Sequence, residues 1–348
     1  MPSFRVGVVC EILEARTGLQ RVLVELGAGA ERAYVLTQLT GPVAVGDRVV
    51  VNTTAVELGL GTGGWHVVHW NLARDAWTST GARRGMKLRY TSLQVDVENA
   101  EPPGVADIAG MPVVAAGLHS QIAAIAAGFK QLRPHARLVY VMTDGGALPI
   151  AVSDLVWRLR ERDLIDTTVT CGQAFGGDFE AVSLPGALAV ARHVAAGAAA
   201  IVAMGPGSAG TASRLGFSGI EVGAALDAAA GLRGVPIAAL RASFADPRAR
   251  HVGVSHHSTT VLSIATRSRV RVALPCVGGD EEQQLRRDLA DSGIDVRHEV
   301  VDVEPVGAVQ LLARHDLHVE SMGRPADSDP VLFEAGAAAG VLAARAVP

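Results

Sequence analysis

Two adjacent histidines stand in the most unusual polar string of the chain, Ser255-His256-His257-Ser258. An imidazole titrates near neutral pH, so it can act as a general acid or base, and its neutral form is a common metal ligand. Neighbouring side chains point apart in a regular element. We therefore expect one histidine to face a ligand while the protein holds the other, with ordinary hydrogen bonding at a helix start as the alternative.

A metal ion bound by either histidine would need further ligands from other loops. The candidates lie far apart in the sequence and at no diagnostic spacing: His119, Asp144, Asp178 and Asp246. The sequence therefore leaves a divalent metal open as a cofactor without defining its site.

Arginine side chains offer the charge that would complement an anionic ligand. Arg241 follows an apolar run, and Asp246 comes shortly after it in the same polar segment. A guanidinium group binds phosphate or carboxylate through two parallel hydrogen bonds. We take Arg241 and Arg214 as candidates for binding substrate charge and add Asp246 as a ligand-binding candidate; a surface ion pair between Arg241 and Asp246 is the alternative.

Two aspartates stand in glycine-rich elbows, Thr143-Asp144-Gly145-Gly146 and Gly176-Gly177-Asp178. Paired carboxylates can hold a cation or act as acid and base. An aspartate flanked by glycine is also ordinary turn chemistry. We expect catalysis to be carried by His256 and His257 together with Asp144, Asp178 and His119.

Glycine-rich elbows could also bind an anion through backbone N–H groups. The candidates are Gly145, Gly146, Gly176, Gly177, Gly205 and Gly207. Residues 205–210 match G-x-G-x-x-G literally, but Pro206 stiffens the loop and Arg241 stands where an NAD site would place an acid. NAD(P) is therefore a poor candidate, and an anion-binding elbow or tight packing is favoured.

The elements that position these residues follow a regular alternation from residue 112 onward. Short apolar runs end in polar elbows and are followed by helical patterns, which is typical of parallel βα units. The predicted strands are Val113–Ala116, Arg137–Met142, Thr167–Cys171, Ala199–Met204, Pro236–Leu240, Val270–Leu274 and Val296–Val303. We predict a doubly wound, mostly parallel three-layer α/β sandwich of Rossmann-like type, with its ligand at the carboxyl ends of the strands.

The first 80 residues have a different character, with five short valine-rich runs and no helical period. This pattern predicts a small all-β module, a barrel or a sandwich. Residues 81–111 contain the basic run Arg83 to Arg89 and an acidic, proline-containing stretch, and we read them as a linker. The α/β domain then spans residues 112–348. The alternatives for the basic run are a solvated linker or a partner for acidic residues elsewhere in the chain, a clamp for an anionic ligand, and a contact with RNA.

Composition narrows the class of protein. The net charge is −4 and aromatic residues make up 4% of the chain, so no broad basic face is present, which argues against nucleic acid as the main partner. Three distant cysteines without CxxC spacing fit a reducing cytoplasm. We expect no membrane segment, because the longest apolar stretch, residues 187–204, is interrupted by charged residues and glycine.

Several strings spread over nearly the whole chain resemble an uncharacterised bacterial family, domain of unknown function 3866. They include Met86-Lys87-Leu88-Arg89-Tyr90-Thr91, Gly117-Leu118-His119-Ser120-Gln121, Phe175-Gly176-Gly177-Asp178, Leu215-Gly216-Phe217-Ser218-Gly219-Ile220-Glu221 and Ser243-Phe244-Ala245-Asp246-Pro247-Arg248. The resemblance implies one intact polypeptide unit. It implies no substrate, because the family has no assigned activity.

These observations favour a cytoplasmic enzyme that acts on a small anionic metabolite bearing phosphate or carboxylate. Hydrolysis or group transfer fits better than NAD(P)-dependent oxidation, because no convincing dinucleotide site is present. A ligand-binding sensor or adaptor without catalysis and an RNA-associated protein using the β module remain as alternatives. A homo-oligomer is left open.

Overall fold

The computed structural model describes residues 1–27, 29–79, 85–211 and 213–347. They form two compact units, Met1–Glu98 and Asn99–Pro348. Arg83 and Arg84 of the basic run lie outside the described residues. No helix in the described ranges is long and apolar enough to span a bilayer.

The first unit is built on a closed five-stranded barrel, which settles the choice between barrel and sandwich. Its strands are β1 (Phe4–Arg16), β2 (Leu19–Glu25), β3 (Ala30–Leu36), β4 (Arg48–Asn52) and β5 (His66–Asn71). They close in the order β1-β2-β3-β5-β4, with β3 and β5 parallel. Alternate valines point inward and form a small separate core that includes Val9, Val22 and Val51.

Short elements complete this unit. Helices α1 (Thr37–Thr40) and α2 (Thr54–Glu57) lie in the connections on either side of β4. Strands β6 (Gly85–Lys87) and β7 (Val95–Val97) form an antiparallel pair within the segment that the sequence suggested as a linker. Lys87 of the basic run is therefore a buried residue of a strand.

The second unit contains an eight-stranded sheet in which every pairing is parallel, and it confirms the α/β three-layer sandwich. Its strands are β8 (Pro112–Ala115), β9 (Leu138–Thr143), β10 (Thr167–Thr170), β11 (Phe179–Glu180), β12 (Ala199–Met204), β13 (Val235–Ala239), β16 (Arg271–Pro275) and β17 (Glu299–Val303). The order is β11-β10-β9-β12-β8-β13-β16-β17. Two short antiparallel pairs lie outside this sheet: β14 (Ala242–Ser243) with β15 (Gly253–Val254), and β18 (Glu320–Ser321) with β19 (Arg324–Pro325).

Helices cover both faces of the sheet. The α-helices are α3 (Gln121–Leu132), α4 (Asp154–Glu161), α5 (Leu184–Ala189), α6 (Val222–Gly231), α7 (His256–Thr260), α8 (Gly279–Asp291), α9 (Ile294–Arg297), α10 (Ala308–Arg314) and α11 (Pro330–Ala346). Apolar residues of α3, α4, α10 and α11 form the core on one face. Those of α5, α6, α8 and α9 form the core on the other. Successive strand residues alternate between the two cores, as the pleat requires.

Two differences from the predicted strands have a local cause. The two-residue strand β11 is too short to give a periodic signal, so seven strands were expected where eight are present. The last strand begins at Glu299 because Ile294–Arg297 forms a turn of helix after Gly293, which has a left-handed backbone.

The direction of the winding changes between two neighbouring strands, β8 and β12. The helix that follows β8 is α3 and the one that follows β12 is α6, and these pack on opposite faces of the sheet. Their loops diverge at this point, which leaves a crevice at the carboxyl ends of the strands where parallel α/β proteins bind ligands. His119 spans the crevice, since its Nδ1 lies 3.0 Å from the carbonyl oxygen of Met204.

Candidate functional site

Three histidine rings converge at the carboxyl side of β13. The ring centroids of His256 and His257 are 4.3 Å apart, and each lies 4.9 Å from that of His251. The expectation that the two neighbouring histidines point apart is therefore wrong, because both rings turn toward His251. We call His251, His256 and His257 the histidine cluster.

The local chain path explains this convergence. The β14–β15 pair folds the segment after β13 back on itself, so that Ser255 donates its backbone N–H to the carbonyl oxygen of Arg241 over 2.8 Å. The Ser255 hydroxyl caps α7 by accepting the His257 N–H. His256 and His257 thus form the first turn of α7, which continues into a π-helical turn at Val261–Ala265. Such turns are frequent at functional sites.

Arg241 fixes the protonation of His257. Its Nη1 lies 3.1 Å from Nδ1 of His257, and a guanidinium can only donate. In the neutral imidazole Nδ1 is then the acceptor, and the proton sits on Nε2. Phe217 stacks on the same ring with centroids 3.8 Å apart and an angle of 2° between the planes. The His257 ring is therefore held in place and offers an N–H donor.

Positive charge exceeds negative charge beside the cluster. The buried carboxylate of Asp246 accepts two hydrogen bonds from Arg248, at 2.9 and 2.8 Å, and one from Arg324 at 3.2 Å. Arg241 approaches the same carboxylate at 3.5 Å, and Arg324 also binds Asp329. Three guanidinium groups thus share two carboxylates, which leaves one positive charge uncompensated in this set.

The histidines are kept neutral by their surroundings. Burial and the nearby Arg241 lower the pKa of both His251 and His257 to about 3. Burial and Arg250 lower the pKa of His256 in the same direction. Burial also lowers the pKa of Arg241, to about 10, so it stays charged at neutral pH. The cluster therefore presents neutral imidazoles beside fixed positive charge.

A metal ion is one ligand to consider, because one ring nitrogen from each histidine lies within 4.8 Å of the others. His256 also has a buried Nε2 that finds no hydrogen-bond partner among the described residues. Coordination by His257, however, needs a ring nitrogen free of a proton. Arg241 occupies Nδ1 and places the proton on Nε2, so a metal would have to break this hydrogen bond. The donors and the charge favour an anion.

His119 lies elsewhere on the sheet edge and has both ring nitrogens occupied. Its Nδ1–H donates to the carbonyl oxygen of Met204, so Nε2 accepts from the hydroxyl of Ser153 over 2.7 Å. Burial lowers the pKa of His119 to about 4. These hydrogen bonds favour a positioning role for His119, whereas its catalytic role stays a prediction.

Two cavities divide the predicted residues between them. A small one of about 20 Å³, with room for one water molecule, is lined by Gly117, Gly219, Arg241, His257 and Ser258 among others. A cleft of about 370 Å³ at the crevice is lined by His119, Gly207, Arg158, Glu320 and neighbouring residues. The structure thus brings His256, His257, Arg241 and Asp246 together and places His119 in a different cavity.

The other two carboxylates bind the protein itself. Asp178 accepts hydrogen bonds from the backbone N–H and hydroxyl of Thr168 and pairs with Arg160 at 2.7 Å. Asp144 accepts the backbone N–H of Gln173. Neither carboxylate lines the two cavities. Turn and strand chemistry accounts for their contacts, and a catalytic role for either stays a prediction.

The glycines of the elbows also have local explanations. The N–H groups of Gly176 and Gly177 donate to Glu180 and Thr170. Side chains at Gly146 and Gly205 would overlap the backbone of the facing elbow. Gly145 packs in the same way against the Glu221 carboxylate, whereas Gly207 lines the cleft. Arg214 is an exposed loop residue that lines neither cavity.

Sequence reasoning missed several residues of this region: His251, Phe217, Arg248, Arg324 and Glu221. Glu221 accepts a hydrogen bond from Thr143, and burial raises its pKa. His251 stands five residues before His256, so the spacing H-x4-H-H was the available signal. Arg324 comes from a distant segment and gave none, whereas Phe217, Glu221 and Arg248 stand in strings that carry the family resemblance but were given no role in the site.

A family model described as protein of unknown function (DUF3866) matches residues 32–340. No curated protein and no solved structure shows a significant match to the chain.

Proposed function

Because the chain belongs to the DUF3866 family, whose description assigns no activity, we propose a function from the geometry of the site. The protein is an enzyme that acts on a small anionic metabolite, bearing phosphate or carboxylate, at the carboxyl edge of its parallel sheet. The reaction is hydrolysis or group transfer. A cytoplasmic location belongs to the same proposal and fits the three free cysteines.

The observation that carries this proposal is the hydrogen bond from Arg241 to His257, made beside an uncompensated positive charge. It leaves Nε2–H of His257 as a donor for an oxyanion, the role that a neutral imidazole can play in an active site. The buried Nε2 of His256 has no hydrogen-bond partner within the described ranges, so His256 is the residue we assign to accept a proton.

Anion binding also adjusts the histidines for catalysis. The positive charge of Arg241 contributes to the low pKa of His251, His256 and His257. A bound anion compensates this charge, so it raises each pKa toward the neutral range where a general base is most effective. Substrate binding and base strength are then linked through the same guanidinium.

Calorimetric titration with inorganic phosphate and with oxalate tests anion binding. We expect Arg241→Gln to weaken the binding of the better anion at least tenfold. Arg314→Gln is the matched control, because Arg314 is exposed at the end of α10 and lines neither cavity. As a check that needs no variant, phosphate or oxalate at 10 mM should shift the NMR signals of His256 and His257; unchanged signals with both anions would refute the proposal.

Turnover separates an enzyme from a sensor. Para-nitrophenyl phosphate and para-nitrophenyl acetate report hydrolysis of the two ester classes. If one is a substrate, His256→Ala should lower kcat by about 10²- to 10⁴-fold, the usual contribution of a general base, and leave the affinity for phosphate within threefold. Binding of the anion without turnover of any phosphate or carboxylate ester would favour a sensor.

A further inference from the structure

The cleft at the β8–β12 crevice is a second cavity, distinct from the histidine cluster. Its volume of about 370 Å³ falls within the range of small-molecule sites, about 300–1,000 Å³. Its lining includes residues of α4 and of the segment from Leu317 to Met322, which contains β18. Residues of the elbows after β8 and β12 complete the lining. Its place in the fold is the one where parallel α/β sheets bind ligands.

The cleft lining combines apolar side chains with hydroxyl groups. Leu118, Leu317 and Val319 are buried apolar residues of the lining. The hydroxyl of Ser120 donates to that of Ser321 over 2.9 Å, which joins the start of α3 to β18. The apolar residues would contact the apolar part of a small ligand.

Two opposite charges in the lining have no partner in the part of the chain that the structure describes. Arg158 of α4 and Glu320 of β18 are both exposed, and neither side chain forms a hydrogen bond or ion pair within the described ranges. The acidic residue Asp154 of the lining has a partner, and His318 lies 3.6 Å from Asp316. Among the residues that the structure describes, Arg158 and Glu320 thus offer an unpaired cation and an unpaired anion beside apolar side chains.

We propose that this cleft binds a zwitterionic metabolite of the α-amino-acid class as a ligand separate from the anion at the histidine cluster. Its carboxylate pairs with Arg158, its ammonium group with Glu320, and its side chain lies against the leucines. Glu320 would repel a ligand that carries only a carboxylate. Arg158 would repel a ligand that carries only an ammonium group. Both charges together set the specificity.

The first test is thermal unfolding of the full chain with each of the twenty protein amino acids at 10 mM. Ligand that binds only the folded state raises Tm, and we expect at least one amino acid to raise it by about 2 °C or more. That amino acid is then compared with its decarboxylated amine and its deaminated acid. Both should bind at least tenfold more weakly.

The second test places the ligand in the cleft. Arg158→Gln and Glu320→Gln should each weaken amino-acid binding at least tenfold, while Arg314→Gln and Glu281→Gln, which change exposed charges on α10 and α8, leave it unchanged. Phosphate affinity at the cluster should be the same in all four variants. The proposal is overturned if no amino acid raises Tm, if the acid or amine binds as well as the amino acid, or if the cleft variants behave like the controls.

Discussion

Arg241 donates a hydrogen bond from Nη1 to Nδ1 of His257 over 3.1 Å, and its Nη2 lies 3.5 Å from the carboxylate of Asp246. One guanidinium therefore joins the histidine cluster to the buried ion-pair network. A change in the charge of that network therefore also changes the pKa of the histidines, since Arg248 and Asp246, as well as Arg241, act on His251.

The ring protons of His251 and His257 should not titrate between pH 8 and pH 5, because burial and Arg241 lower the pKa of both histidines to about 3. Proton NMR of the C2–H signals measures this directly. Inorganic phosphate should raise both pKa values by compensating the guanidinium charge. Signals that titrate near 6.5 in the free protein would show that the cluster is open to water.

Stability should fall in mild acid. His119, His251 and His257 have folded-state pKa values below the ordinary 6.5, so below pH 6.5 the unfolded chain binds more protons than the folded one. The free energy of unfolding then decreases as the pH falls, by about 1.4 kcal/mol per pH unit for each histidine, until the folded-state pKa is reached.

Urea unfolding from pH 7.5 to pH 5 measures this slope. His119→Gln should remove one histidine's share of it, because glutamine does not titrate, whatever the variant does to stability at pH 7.5. An identical slope in the variant would mean that His119 is already protonated in the folded protein at mildly acid pH.

Asp246→Asn should destabilise the second unit by about 3–5 kcal/mol, the cost of leaving a buried charge unpaired. The carboxylate is 1% exposed and contacts three arginines, and asparagine cannot compensate them. Asp291→Asn is the control, since Asp291 is exposed on the last turn of α8. Urea unfolding at pH 7.5 compares the two. Equal stabilities would contradict the importance that the structure gives to the Asp246 network.

The part of the site that could be predicted consists of residues that are close together in the sequence. His256, His257, Arg241 and Asp246 lie within one segment after β13, where an elbow brings nearby residues together. The sequence also predicted the parallel sheet, because buried strands and their helices have clear periodicity. His251 was missed, since its approach depends on the β14–β15 pair, whose two-residue strands leave no pattern.

The rest of the candidate site could not be predicted, because residue types and spacing do not show which groups the fold brings into contact. Asp178 and Asp144 resemble catalytic carboxylates in sequence, yet both accept backbone N–H groups, and only the fold shows which donors are near. Arg324 reaches Asp246 from the β18–β19 pair, a contact between residues far apart in the chain. Gly146 and Gly205 read as anion-binding glycines, whereas each also allows one elbow to approach the other closely.

The packing of α3 against α11 depends on glycine. Substituting these glycines tests the core next to the cleft, because the start of α3 forms part of the cleft lining. A side chain at Gly340 of α11 would overlap the backbone carbonyl of Ile125 in α3. Because a backbone carbonyl cannot move aside cheaply, Gly340→Ala should destabilise the fold by about 1–3 kcal/mol. At Gly231, the last residue of α6, an added Cβ would have no described atom within 4 Å other than those of its chain neighbours and its own helix backbone.

Gly231→Ala is therefore the matched control, and it should raise stability by up to about 1 kcal/mol through helix propensity alone. The two substitutions add the same methyl group to a helix, so their opposite signs in urea unfolding would isolate the effect of close packing. If Gly340→Ala were also stabilising, α3 and α11 would lie further apart than their glycines indicate. The start of α3, which forms part of the cleft, would then not be positioned by close packing against α11.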